Sequence, residues 1–170
     1  MFALEGYRVT KLGEADVSAL QDLHERCHVF LELVYGRPPE PDSAAQLMAE
    51  LPEGRSAEDK FLFGLYPEGG QPMVGVLESI RGFPEAGEWF IGFLVLDPVY
   101  RSSGLGTRFI QGFEAWVRGQ GATGLRLIVS EQNSRATRFW QSRGYTVTGT
   151  AQHRAHGREH TVLRMRKPLP

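Results

Sequence analysis

Cysteine is scarce in this sequence: Cys27 is the single thiol among 170 residues, so the chain cannot close an intramolecular disulfide. Long apolar runs are also missing, and the N-terminal stretch MFALEGYRVT has no basic segment followed by an apolar one, so neither a membrane span nor a secretory leader is predicted. Neither sign of charge predominates, since the formal net charge is −1, which argues against nucleic acid as a partner. Because 41% of the residues are hydrophobic, we expect residues 1–170 to form one cytoplasmic domain with no membrane partner.

The near-neutral total hides a strong division of charge along the chain. Residues 1–96 carry 16 acidic and 7 basic side chains, whereas residues 97–170 carry 4 acidic and 12 basic ones. This division predicts an anionic ligand on the second half and a cationic ligand on the first. The alternative is that the two halves attract each other across the fold, and the sequence leaves both interpretations open.

The spacing of apolar residues and the positions of Gly and Pro predict elements in the order β-α-α-β-β-β-α-β-α-β-β. The strands are expected at 6–12, 59–67, 71–84, 88–98, 124–130, 145–152 and 160–168, and the helices at 14–36, 44–51, 105–121 and 135–143. The strand over 88–98 is apolar on both faces, which is typical of a central strand. The last two strands are expected to expose His153, His156 and His160. The chain is therefore predicted to be a mixed α/β protein.

A small-residue segment, RSSGLG at 101–106, separates the predicted central strand from the helix that begins at Leu105. The free N–H groups of a helix start favour an anion, and glycine lets a ligand approach the backbone. Arg101 adds a charged donor at the same place. Two common phosphate motifs do not fit: no lysine follows Gly106, as a P-loop requires, and Phe109 stands where a dinucleotide fingerprint needs its third glycine. What remains is an R-x-x-G-x-G pattern after an apolar strand.

This pattern resembles the cofactor loop of the GNAT superfamily of N-acetyltransferases, whose signature is [QR]-x-x-G-x-[GA], often after a D-P-x-[YF] turn. The turn is here D-P-V-Y at 97–100. A second family pattern, N-x-x-A-x-x-x-Y-x-x-x-G-[FY], is matched by NSRATRFWQSRGY at 133–145, except that Trp140 replaces the usual tyrosine. The predicted element order is also that of the family. The resemblance implies a GNAT-type fold, with a central, mostly antiparallel twisted sheet of about seven strands flanked by about four helices.

The resemblance also implies acetyl-CoA as the cofactor. Its diphosphate is expected on the backbone of the small-residue segment and its pantetheine arm along the strand ending in FLVL, with the Leu94 amide facing the thioester oxygen. Arg135 or Arg138 on the next helix is expected either to reach phosphate or to face solvent. The cofactor-binding residues implied by the resemblance are Leu94, Val95, Leu96, Arg101, Ser102, Ser103, Gly104, Leu105, Gly106, Thr107, Asn133, Arg138 and Trp140.

The catalytic groups are less evident from the sequence. Family members often protonate the leaving thiolate with the tyrosine that Trp140 replaces, and an indole N–H cannot do this. The alternatives are that the thiolate leaves through water, that another residue helps, or that catalysis is lost. A general base is sought among Glu88 and Glu78, each of which is alternatively a solvated surface carboxylate. The candidates for catalysis are the Leu94 backbone amide, Glu88, Ser130 and Tyr145.

By the same resemblance, the acceptor site forms between the first two helices and the parted strands. The acceptor-binding candidates are Phe30, Glu32, Tyr35, Glu78 and Trp89. The acidic surroundings favour a cationic or amine acceptor, and the alternative is that Phe30 and Tyr35 pack in the core. His24, Cys27 and His28 share a spacing seen in metal ligands, but the ligand set is incomplete, so no metal is expected.

The leading hypothesis is a transferase that passes an acetyl or other acyl group from acetyl-CoA to a primary amine, by direct attack in a ternary complex. The acceptor would be a small molecule or a peptide, and a homodimer is an option that the family suggests. The alternative hypothesis is a non-catalytic acyl-CoA-binding or sensing domain of the same fold, which the replacement at Trp140 motivates.

Overall fold

The centre of the fold is a sheet of seven strands. The computed structural model describes residues 1–155 and 158–170, so His156 lies outside the described residues. The strands are Tyr7–Lys11 (β1), Lys60–Pro67 (β2), Gly75–Arg81 (β3), Glu88–Leu96 (β4), Gly124–Ser130 (β5), Thr146–Ala155 (β6) and Arg158–Pro168 (β7). They lie side by side in the order β1-β2-β3-β4-β5-β7-β6, in which β4 and β5 are parallel and the other neighbours antiparallel. The predicted mixed α/β class and mostly antiparallel sheet are confirmed.

Helices pack on both faces of this sheet. In the described residues they are Val17–Arg26 (α1), His28–Tyr35 (α2), Ser43–Ala49 (α3), Leu105–Gly119 (α4) and Ser134–Gln141 (α5). The single helix predicted over 14–36 is instead two helices that meet at Cys27. The end of α1 is fixed there because Arg26 Nε lies 2.6 Å from Asp97 Oδ2 and Arg26 Nη2 lies 2.5 Å from the Met73 carbonyl. None of the described helices is long and apolar enough to cross a membrane.

A β-bulge at Gly92 changes the side-chain alternation along β4. In the register with β3, Ser79 pairs with Ile91 and Glu78 pairs with Phe93, so Gly92 is an extra residue. Ile91 therefore points into the core beneath α4 and α5, whereas Phe93 points into the second core, beneath α1, α2 and α3. A glycine inside an apolar strand is the sequence signal for such a bulge.

The strands β4 and β5 part just before this bulge. Their pairing covers Glu88 to Ile91 on β4 and Gly124 to Leu127 on β5, after which β5 continues to pair with β7. On its other side β4 stays paired with β3 as far as Leu96. Residues 92–96 of β4, called here the open edge, thus have no neighbouring strand on the β5 side among the residues that the structure describes.

Candidate active site

Two main-chain N–H groups of the open edge point into the gap between β4 and β5. The Asp97 N–H donates to the Val74 carbonyl at 2.9 Å, so Asp97 directs its main-chain groups toward β3. Because successive residues of a strand alternate, Val95 also faces β3, while Leu94 and Leu96 face the gap. The Leu94 amide is therefore a donor held by the sheet at the point where β5 has moved away.

The segment after the open edge, residues 101–107, is called here the glycine loop. Ser102 (φ 62°) and Gly104 (φ 80°) both adopt the left-handed backbone conformation. Such residues between right-handed ones turn successive N–H groups toward a common side, as in anion-binding nests. Ser103 Oγ donates to the Tyr100 carbonyl at 2.7 Å and fixes the loop in this conformation.

The N–H groups of residues 102–107 donate to no acceptor in the described part of the chain, since the first bond of α4 runs from Arg108 N to the Gly104 carbonyl. A Cβ at Gly104 would have no atom within 4 Å, whereas one at Gly106 would come within 3.3 Å of Leu96 Cδ1. Gly104 thus keeps the approach to the free donors open, and Gly106 lets α4 pack closely on β4. Free donors at a helix start are suited to a phosphate.

Positive side chains on or just after α5 border the glycine loop. Arg135 Nη2 lies 3.4 Å from Ser102 Oγ, and Arg143 is hydrogen-bonded to Thr107 Oγ1. Arg138 is exposed on the same helix. The loop therefore combines main-chain donors with guanidinium groups, which together favour an anionic ligand.

Arg101 and Asn133 shape the site through contacts within the protein. Arg101 Nε donates to the Leu96 carbonyl at 2.9 Å, and its guanidinium lies 5.7 Å from the centre of the Phe30 ring. Asn133 Oδ1 accepts the Ala136 N–H at 3.1 Å and caps α5. The buried side chain of Leu105 anchors the start of α4 in the core.

The two aromatic residues of the second motif lie in the core. Trp140 packs edge to face on Tyr145, with ring centroids 4.9 Å apart. The Tyr145 hydroxyl donates to Glu114 at 3.1 Å, and burial, reinforced by the charge of Glu114, raises the pKa of Tyr145. The structure therefore does not bring the Tyr145 phenol to the open edge. Ser130 lies at the end of β5, where the register of the parallel pair places it across the gap from that edge.

Glu78 brings a buried carboxylate to the bulge. It pairs across the strands with Phe93, and Lys60 Nζ lies 3.2 Å from its Oε1. Its Oε2 is directed at Gly92, where a Cβ would lie only 2.0 Å from it. Burial raises the pKa of Glu78, and the charge of Lys60 opposes the shift. The interpretation as a solvated surface carboxylate is wrong for both Glu78 and Glu88, which are 6% and 4% exposed.

Glu88 lies at the other end of β4 in an ion-pair network. Arg126 Nε is 2.9 Å and Arg166 Nη2 is 2.6 Å from its carboxylate oxygens. Burial acts to raise the pKa of Glu88, but the hydrogen bonds from the two arginines outweigh it and lower the pKa. Trp89 is buried beside it, with its ring centroid 5.0 Å from that of Phe61. Neither Glu88 nor Trp89 reaches the open edge.

A small cavity, called here the helix-side pocket, lies between α1, α2, α3 and β4 and has a volume of about 80 Å³. The residues that line it include His24, Tyr35, Arg37, Glu40, Glu50 and Phe93. Burial, together with the charges of Glu50 and Glu78, raises the pKa of Tyr35 to about 12, so its phenol stays protonated. Of the other candidates on α2, Glu32 is exposed and Phe30 is half-buried beside the glycine loop.

The structure bears out attraction between the two halves in part of the molecule, and the interpretation of the charge division as ligand binding stays a prediction. Ion pairs join the two halves where Arg126 meets Glu85 and Arg166 meets Glu88. Other cations of the second half border the glycine loop instead. In the part of the chain that the structure describes, no group of three or more His, Cys, Asp or Glu side chains could hold a metal ion.

Three residues near the site have weak signals in the sequence. Gly92 is marked only as a glycine in an apolar strand, and Arg143 only as a basic residue at a helix end. His24 is marked by its spacing to His28 as an incomplete metal motif, whereas the structure places it in the helix-side pocket. Their neighbours come from distant segments, which single-sequence patterns do not reveal.

Solved acetyltransferase structures share this fold over nearly their whole length. The chain is 18% identical to the ribosomal-protein-S18-alanine N-acetyltransferase from Escherichia coli, covering 96% of this chain and 94% of that one, with a TM-score of 0.72. It is 22% identical to an acetyltransferase from Thermus thermophilus, with 99% and 100% covered and a TM-score of 0.74. A spermidine N-acetyltransferase from Vibrio cholerae, solved with CoA and spermine, is 15% identical, with 98% and 97% covered and a TM-score of 0.75.

Comparison by sequence adds a family assignment. None of the curated proteins matches this chain. The family model described as "Acetyltransferase (GNAT) family" matches residues 17–145, a segment that includes α1, the open edge, the glycine loop and α5. The chain therefore belongs to the GNAT family of acetyltransferases.

Proposed function

We propose that this chain, acting as one domain over residues 1–170, transfers an acetyl group from acetyl-CoA to a primary amine by direct attack in a ternary complex. The observation that carries the proposal is the junction of the open edge with the glycine loop. Free strand amides and free helix-start amides follow each other there along one continuous segment. A cytoplasmic location and a homodimer stay predictions from the sequence.

The residues present fit a coenzyme A thioester. The free N–H groups of residues 102–107 would hold the diphosphate, with Arg135 and Arg143 at its border. The open edge would pair with the pantetheine amides as an added strand would. Acetyl-CoA, when bound, supplies the acetyl thioester that an amine attacks. The Leu94 amide then donates to the carbonyl oxygen as negative charge grows on it.

Glu78 is the proposed general base. Its Oε2 lies at the bulge two residues before Leu94, and burial raises its pKa, which makes its carboxylate a stronger base than an exposed one. It would accept the proton of the amine, directly or through one water. The coenzyme thiolate would leave without a phenol, because Trp140 and Tyr145 are both buried in the core.

A second candidate function is acyl-CoA binding without catalysis. The burial of Trp140 at the position of the usual family tyrosine favours it, since that position supplies no proton donor to the open edge. The two functions differ in turnover and agree in coenzyme binding. Both accept a cofactor on the same segment, so binding alone does not separate them.

The decisive experiment measures release of free CoA from acetyl-CoA with a panel of small amines and peptides, alongside calorimetric titration with CoA. Transfer to at least one amine, at a rate above hydrolysis, is the result expected. Binding of CoA with no transfer to any amine would favour the second function. No binding of any coenzyme A species would overturn both.

A further inference from the structure

His24 is a buried histidine whose two ring nitrogens differ in their hydrogen bonding. It is 3% exposed and lines the helix-side pocket. Its Nδ1 lies 2.8 Å from Ser43 Oγ, and its ring packs edge to face on Phe93 with centroids 5.5 Å apart. Its Nε2 is buried and has no hydrogen-bond partner in the described residues. A buried nitrogen of this kind costs free energy unless water or a ligand satisfies it.

The Gln21 side chain decides which ring nitrogen carries the proton. Gln21 Nε2 donates to the Glu40 carbonyl at 2.9 Å. Its Oε1 is thereby turned toward the Ala44 N–H at 3.0 Å and Ser43 Oγ at 3.2 Å. The Ser43 hydroxyl donates its proton to this oxygen and accepts the Nδ1–H of His24. In this arrangement Nε2 keeps its lone pair.

The surroundings keep the ring neutral and favour a cation. Burial lowers the pKa of His24 to about 4. The titratable groups that face it from the packed elements are Tyr35, Arg37, Glu40 and Glu50, and beyond them Glu78 is paired with Lys60. Arg37 Nη1 lies 2.6 Å from Glu40 Oε1, so these two charges compensate each other. Glu50 then gives the pocket a negative character.

We infer that His24 Nε2 accepts a hydrogen bond from the acceptor molecule, and that the helix-side pocket selects an unbranched aminoalkyl chain with a second amino group. This inference rests on the proposed function and deepens it. A cavity of about 80 Å³ admits a slim chain of a few atoms. The second amino group donates to Nε2 and faces Glu50, whereas a carboxylate would meet a lone pair and a like charge.

Two variants separate the two sides of the ring. His24→Asn keeps a donor toward Ser43 and removes the pocket nitrogen, whereas His24→Gln keeps an acceptor near the Nε2 position. With putrescine as acceptor, His24→Asn is expected to lower kcat/KM about tenfold through KM, and His24→Gln to recover most of the loss. With butylamine, which lacks the second amino group, His24→Asn should lower kcat/KM several-fold less than it does with putrescine. Equal losses with both amines would overturn the inference.

Nitrogen NMR of the histidine rings gives a readout that needs no turnover. In the intact protein with CoA, His24 is expected to carry its proton on Nδ1, and the Nε2 signal is expected to move when putrescine is added. A proton on Nε2, or an Nε2 signal that putrescine leaves unmoved, would overturn the inference. A signal that moves while no amine is acetylated supports the inference and contradicts the proposed function.

Discussion

The glycine loop and the helix-side pocket are built in opposite ways. The loop offers main-chain N–H groups from one continuous segment, bordered by cations of the second half of the chain. The pocket offers side chains from α1, α2, α3, β4 and the loop after α2, all of them from the acidic first half. A coenzyme common to a family can be held by backbone, which any sequence supplies, whereas an acceptor is distinguished by side chains.

The difference predicts that changes in the two regions affect different constants. Changes in the loop should weaken coenzyme binding and leave acceptor binding intact. Changes around the pocket should alter acceptor kinetics or pH dependence and leave CoA affinity intact. Four measurements test this division.

Glu78→Gln should have the largest effect, a loss of kcat of about 1,000-fold, because general-base catalysis is worth that order of magnitude. Since a carboxylate acts as a base only when ionised, the wild-type kcat should rise with pH through the raised pKa of Glu78, and the variant should lose this rise. Glu53→Gln, at an exposed position after α3, is the matched control. A kcat within a few-fold of wild type would remove Glu78 from the mechanism.

The next effect concerns stability and His24. Its pKa is lowered from 6.5 to about 4, so below pH 6.5 the unfolded chain binds a proton that the folded chain does not. The free energy of unfolding should therefore be highest above that pH and should fall, by up to about 3 kcal/mol, as the pH drops toward 4. Urea unfolding of wild type and His24→Asn at several pH values isolates the contribution of His24 to this pH dependence. Parallel pH curves for the two proteins would contradict it.

Gly104→Asp should weaken CoA binding by about 30-fold, roughly 2 kcal/mol. Its carboxylate would repel the diphosphate, which is also negatively charged, at the free N–H donors. Gly104→Asn is the matched control: both side chains occupy open space at a positive φ, and only one is charged. Calorimetric titration with CoA measures the difference. Equal affinities of the two variants for CoA would show that the diphosphate does not bind at the glycine loop.

Arg135→Gln should have the smallest effect, about a fivefold loss of CoA affinity that shrinks as salt is added, because this cation is exposed. Arg118→Gln is the matched control. It removes the same charge at an exposed position near the C-terminal end of α4, the end away from the glycine loop. Titrations at low and high salt compare the two. Identical losses would mean that net charge, rather than a guanidinium beside the loop, governs binding.

Much of the fold follows from local patterns. Alternation, helical spacing and Gly or Pro punctuation predict every strand, and every helix but one, to within a few residues at most ends. The exception is the helix expected over 14–36, which is divided at Cys27, where Arg26 binds the distant Asp97 and Met73. No residue pattern within 14–36 indicates the contact of Arg26 with these two residues.

The candidate site divides along the same line. The conformation of the glycine loop was predictable because it depends on consecutive backbone groups and on the positions of glycines, and its binding of a diphosphate stays a proposal. Glu78 and Glu88 are alike in sequence, yet one faces a bulge and the other two arginines. Which carboxylate serves chemistry depends on neighbours that lie far away along the chain.

By itself the sequence determined the order of the strands, the position of the glycine loop before α4 and the division of charge, because each depends on residues adjacent along the chain. The tertiary structure alone decided the change in side-chain alternation at Gly92, the burial of Trp140 and Tyr145, and the contacts of His24 with Ser43 and Phe93. The physical reason is that burial and hydrogen bonding are set by whichever distant segments the packed sheet and helices bring together.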